Sequence, residues 1–214
     1  MGTDRTKVRR SAHKQVHDPE TLKAILARAI IAHVAISIGD QPFVLPVACA
    51  PFKDELLLHG SMASRLFKAL SSGAPACVNI TLVDALVLAR TSFDSSMQYH
   101  SLMAFGRARV IASKEKLAAL EALTDHLFPE RAKELRQSNA KEIKATSILA
   151  FPLGEVSIKV SKSYVHDGES EPNRKIWAGT VPITSTYGEP IPSEDLRPGI
   201  EIPKYISHWP KNRI

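Results

Sequence analysis

The chain has 214 residues, 44% hydrophobic and 23% charged, which is material for one domain with an extension. No apolar run approaches the roughly 18 residues of a membrane span, and the polar start MGTDRTKVRR lacks the apolar segment of a secretory signal. Two cysteines, Cys49 and Cys77, make no disulfide framework and fit a reduced, cytoplasmic setting; the net charge is +6.

Residues 1–17 form a basic arm with Arg5, Lys7, Arg9, Arg10 and Lys14. A solvated tail is expected, with contact to ligand phosphates as an alternative; nucleic acid is not the expected partner. Asp18-Pro19-Glu20 then opens a helix, because Asp caps, Pro suits the first position and Glu suits the dipole. Leu22, Ile25, Leu26, Ala29 and Ile30 fall on one face of it. HVAISIGDQPFVLPVACAPF reads as a hairpin turning at Gly39-Asp40, and ELLLHG as a third strand. Pro46 cannot donate to a ladder, so its strand is an edge or bulged, which frees backbone groups of Val47 and Ala48 for a planar heterocycle.

SMASRLFKALSS returns to helical spacing, with Ser61 as the expected cap and Leu66, Phe67 and Leu70 inward. His59-Gly60 precedes it. In such a strand–turn–helix, Gly60 permits close approach, first-turn amides favour an anion, and Ser64 and Arg65 can hold a phosphate. An ordinary capped helix with a solvated arginine is the alternative. Two long strands follow, over residues 80–89 and 101–111, joined by the polar connector TSFDSSMQYH. Tyr99, His100 and Ser101 end that connector and start the second strand; His100 is a residue type suited to proton handling, or is a plain surface histidine.

A helix starts at Ser113 with Leu117, Leu120, Leu123 and Leu127 on one stripe, followed by a short charged helix near residues 130–137. ATSILAFPL and EVSIKVSK are two more strands, closing a domain over residues 18–165. Residues 166–214 are rich in Pro, Gly and charge and form an extended arm that packs on the barrel or on a partner subunit. Trp177 in that arm is an anchor or a stacking surface. Six to seven strands with short connections make a mainly β fold, an antiparallel barrel with peripheral helices. His13 and His17 are four apart but lack a third ligand, so no metal site is expected. No catalytic side chain is identifiable from spacing.

The order of these segments resembles the FMN-binding split barrels, and more narrowly the pyridoxamine 5′-phosphate oxidase-related flavoproteins that include the nitroimidazole-reductase-like group. LVLARTSFDSSMQYHSLMAFGRA, the His59-Gly60…Ser64-Arg65-Leu66 segment and the run over residues 145–159 carry the likeness. The resemblance implies an FMN-binding homodimer with flavin at the subunit interface. It implies that His59, Gly60, Ser61, Ser64 and Arg65 hold the flavin phosphate and that Pro46, Val47 and Ala48 run along the ring. Tyr99, His100 and Ser101 would lie beside the ring, and Trp177 would reach in from the partner. An oxidoreductase acting on a small molecule is implied, with a non-catalytic flavin- or haem-binding sensor as the alternative; deazaflavin and haem are the alternative cofactors. Leu66 stands where the true oxidases carry Lys, and TVPITSTYG replaces their substrate-binding Arg-x-His, so pyridoxamine phosphate oxidation is not expected.

Overall fold

A computed structural model describes residues 3–168, 175–210 and 213. The N-terminal segment runs through a 3-10 turn, Ala12–Lys14, into β1 (Gln15–Val16). Helix α1 (Pro19–Arg28) starts where Asp18 accepts bonds from the Glu20 and Thr21 amides. Strands β2 (Ile31–Ile38), β3 (Gln41–Phe52) and β4 (Glu55–His59) form a meander, and α2 (Arg65–Ser71) follows. The long pair β5 (Pro75–Leu88) and β6 (Ser96–Arg107) leads to β7 (Arg109–Val110) and α3 (Ser113–Leu127). A short α4 (Ala140–Ala145), β8 (Ile148–Pro152), β9 (Val156–Ser161) and β10 (Gly179–Pro182) complete the regular elements.

All ten strands belong to one sheet of order β1-β9-β6-β5-β2-β3-β4-β8-β7, with β10 added beside β5; the pairings are antiparallel. β7 follows β6 after one residue, Ala108, yet pairs with β8 at the far end of the order, so the sheet curls back on itself. The expected count of six to seven is corrected to ten among the described residues. The seven long strands are the expected ones; β1, β7 and β10 are two to four residues long and carry too little period to read. The polar connector is also shorter than expected, because Ser96 to His100 already lie in β6.

Inside the curl, Val34, Ile36, Leu56, Leu58, Val78, Ile80, Leu82 and Leu102 meet Ile25 and Leu26 of α1 and Leu66, Phe67 and Leu70 of α2. On the outside, α3 covers Ala50, Leu57, Ile148 and Ala150 with Ala119 and Leu123. Of the expected leucine stripe of α3, Leu120, Leu123 and Leu127 pack there, and Leu117 does not: it is 47% exposed, while Ala119 is fully buried because a small side chain lets the helix approach the sheet. The rest of the outer face, toward β2, β5 and β6, has no helix over it among the described residues.

The N-terminal segment is held to the barrel instead of lying free. Arg5 pairs with Glu155 and sits over the Phe105 ring, Lys14 donates to Ser161 Oγ at 2.9 Å, and β1 pairs with β9. The C-terminal arm packs on its own chain: Trp209 Nε1 donates to the Pro129 carbonyl at 2.9 Å, and the buried Arg213 donates to the His126 carbonyl. No helix among the described residues is long and apolar enough to cross a membrane.

Candidate functional site

Strand alternation sorts the sequence-predicted residues onto two faces. The ladders align Pro46 with His33, His33 with Asn79, and Asn79 with Met103. Val34, Val78, Ile80 and Leu102 face the core, so their neighbours His33, Asn79 and Met103 face out. Pro46, Ala48, Tyr99 and Ser101 share that outer parity. Val47 does not: it is buried in the core.

Pro46 sits where a proline disrupts nothing. β4 pairs only with residues 48–52 of β3, which leaves residues 41–47 with a single neighbour, β2. The Cys49 amide donates toward β2, to Ile30 O at 3.0 Å. Alternation therefore turns position 46 to the free edge, and the missing N–H removes no ladder bond. The edge-facing backbone groups are those of Val44 and Pro46. This adjusts the expectation for Val47, whose groups face β2, and for Ala48, which pairs with His59.

His59, Gly60 and Ser61 line one hollow of about 530 Å³ together with Met62, Thr146 and Ser147. Loss of water around the His59 ring holds its pKa below the ordinary imidazole value. A Cβ on Gly60 would overlap the Phe67 ring, so the turn is tight because α2 packs under it. Ser64, not Ser61, is the helix cap: its Oγ accepts from the Phe67 amide at 3.2 Å, whereas Ser61 Oγ accepts from Ala63. The helix begins later than expected because residues 61–64 form a turn that lowers Leu66 into the core. The Arg65 guanidinium stacks on the Phe43 ring, 4.6 Å from its centroid. Leu66 is 3% exposed and packs in the core.

Trp177 is exposed, and its ring folds over Gly179, where a Cβ would come within 2.7 Å of it. It lies just before β10, which pairs with residues 85–88 at the far end of β5.

His100 stands apart from Tyr99 and Ser101. It aligns with Leu82 and Val160, on the inner face at the barrel mouth. There its Nδ1 lies 2.7 Å from Asp84 Oδ2, and Asp84 Oδ1 accepts from Arg28 at 2.8 Å. Sequence reasoning missed Asp84 and Arg28. Asp84 is the extra residue of a β-bulge between Val83 and Ala85. The signal was present: buried positions of β5 run 78, 80, 82 and then 85, 87. A switch from even to odd at a lone carboxylate marks a bulge.

A cavity of about 520 Å³ opens at this mouth, lined by His13, Lys14, His100, Val160, Lys162 and His166 among others. His17, paired with His13 in the sequence reading, faces a different hollow beside Thr3 and Gln15. Among the described residues no three His, Cys, Asp or Glu side chains are grouped to hold a metal ion.

Comparison with known proteins places these two sites in context. Residues 18–160 match the model of the pyridoxamine 5′-phosphate oxidase family. No curated protein matches the chain. Among solved structures, an FAD and heme binding protein from Mycobacterium smegmatis is 37% identical, with a TM-score of 0.89, over 94% of this chain and 100% of that one. A flavocytochrome from Azotobacter vinelandii is 35% identical, with a TM-score of 0.88, over 96% of each chain. A Bacteroides thetaiotaomicron protein described as a 5-nitroimidazole antibiotic resistance protein shares the fold, at 21% identity and a TM-score of 0.58, over 68% of this chain and 86% of that one. With two thirds of its length matching the family model and near full-length likeness to two such structures, the chain belongs to the pyridoxamine 5′-phosphate oxidase family.

Proposed function

We propose that this protein is a flavin-binding oxidoreductase that acts on a small molecule, and that it works as a homodimer. The carrying observation is the bare outer strip of β3, β2, β5 and β6. It has a free strand edge at Val44 and Pro46, and β3 leads from it to the hollow at His59, Gly60 and Ser61. A planar, partly apolar ring fits the strip, and a phosphate fits the hollow. In this reading Ser61 and Ser64 bind the phosphate, and Arg65 swings from Phe43 to join them. Pro46 and Ala48 border the ring, with Tyr99 and Ser101 farther along the same face. A bound flavin supplies the hydride and single-electron chemistry, so no catalytic side chain is required of the protein.

The two near full-length relatives extend the reading. One is an FAD and heme binding protein and the other a flavocytochrome, which favours FAD over FMN and adds haem as a second group. The burial of Leu66 in the core supports a protein that is not a pyridoxamine phosphate oxidase. Homodimerisation is supported by Ile31, Val44 and Met103, which expose apolar area on the outer strip, and by Trp177, which is 66% exposed. A partner subunit covers both.

The test is an absorption spectrum of the purified protein, with chromatography and mass measurement of whatever it releases on denaturation. Flavin bands with FAD or FMN released are expected. A deazaflavin is separated by its mass and blue-shifted spectrum. A colourless chain that also fails to take up added FAD, FMN or hemin overturns the reading.

A further inference from the structure

We propose that the cavity at the barrel mouth is a haem pocket with His100 Nε2 as an axial ligand to the iron, Asp84 as the residue that positions it, and Lys14 and Lys162 as partners for the propionates. The inference rests on the haem reading above and assigns it to particular residues.

His100 carries the second-shell arrangement that metal-binding histidines use. One ring nitrogen is tied to a carboxylate, which fixes the ring and raises the basicity of the other. Here Nδ1 is 2.7 Å from Asp84 Oδ2, and Arg28 anchors the far carboxylate oxygen at 2.8 Å. Nε2 has no partner among the described residues, and the side chain lines the cavity. The β-bulge exists at the one point of β5 that sets Asp84 beside this histidine.

The walls fit an amphipathic macrocycle. Val16 and Val160 give apolar surface, and no carboxylate is among the described lining residues. Lys14 is placed by Ser161 Oγ and lies 6.0 Å from the Tyr99 ring centroid. Lys162 makes no hydrogen bond or ion pair among the described residues. Two ammonium groups with no facing acid among the described residues suit two propionates. Three histidines line the cavity, yet no trio is close enough for a bare ion. A metal that arrives with four nitrogens of its own needs only one or two protein ligands.

The assignment also separates the two cofactors. Ser101 and His100 are adjacent on β6 and point to opposite faces, so the flavin strip and this pocket share one strand as their wall.

The experiment titrates hemin into the full-length protein, followed by the Soret band and by electron paramagnetic resonance of the ferric form. Wild-type protein is expected to bind one haem per chain with a histidine-ligated signature. His100→Ala should lose that signature and regain it with millimolar imidazole. His100→Met, which keeps the bulk, should show an altered axial signature. Asp84→Asn should keep the Soret band, weaken binding by about 10- to 100-fold and raise the reduction potential, because the ligand becomes less basic. Flavin content and melting temperature report whether each variant is folded. If wild-type protein takes up flavin but no haem, the haem reading itself fails. If wild-type binds haem and His100→Ala or His100→Met gives an unchanged spectrum, the haem lies elsewhere and this assignment is overturned.

Discussion

The two faces of the sheet are built differently. The inner face is a closed core in which Leu56, Leu58, Ile80 and Leu82 are almost fully buried. The outer face is half covered: α3 shields Ala50, Leu57 and Ile148, while Val44, Pro46 and Met103 stay open. The inner face holds the fold. The bare half of the outer face contributes little to it and is left for contact with something else.

The largest expected effect tests the inner face. Leu58→Ala should lower unfolding free energy by about 2–5 kcal/mol, read from urea denaturation, because the closed barrel cannot collapse around the void. A loss below 1 kcal/mol would break the contrast. Next comes Gly60→Ala, where the new methyl meets Phe67. It should destabilise by about 1–3 kcal/mol. Phe67→Leu in the same chain should recover part of that loss, which shows that the clash and not the backbone is responsible.

Ser64→Ala should cost about 1 kcal/mol as a lost helix cap, and Ser61→Ala much less. Equal effects would return the cap to Ser61.

The pH test uses His126, which links α3 to the core. Its Nε2 donates to the Ala29 carbonyl at 2.6 Å, and burial, with Arg213 close by, holds its pKa below the ordinary value. A buried histidine with a lowered folded pKa stabilises the fold above its unfolded pKa of about 6.5 and loses that contribution as pH falls through the folded value. Melting temperature should therefore fall from pH 7.5 to 5.5, and His126→Gln should flatten the fall. His59 shifts in the same direction, so some slope should persist in the variant. The smallest stability effect belongs to the bare strip. Met103→Lys should change chain stability by about 0.5 kcal/mol or less. It should nevertheless shift a dimer toward monomer in analytical ultracentrifugation, and an unchanged oligomeric state would count against the strip as an interface.

Much of this architecture was legible in the residues. Asp18-Pro19-Glu20 marks the start of α1, Gly39-Asp40 the hairpin, and Pro46 an edge that the ladder confirms. Two short strands escaped for a physical reason. β1 and β7 are formed by tertiary pairing of two residues each, with no pattern of their own. α4 carries a capping box, Asn139 with Glu142, which was readable and was missed. Of the site, the hollow at His59, Gly60 and Ser61 followed from the order strand–turn–helix. The trio of Arg28, Asp84 and His100 did not, because it joins a helix end, a bulge and a strand start that only the folded sheet brings together.

The pairing of β1 with β9 has a kinetic consequence. Gln15 meets Lys159, so the two walls of the mouth lie near opposite ends of the barrel sequence. Contacts that distant form late, because a long loop must close before they repay its entropy. On the ribosome, the segment holding His13 and Lys14 waits until Val160 and Lys162 have emerged. A ligand that requires all four can therefore load only a finished barrel, and by binding it would hold that final closure shut.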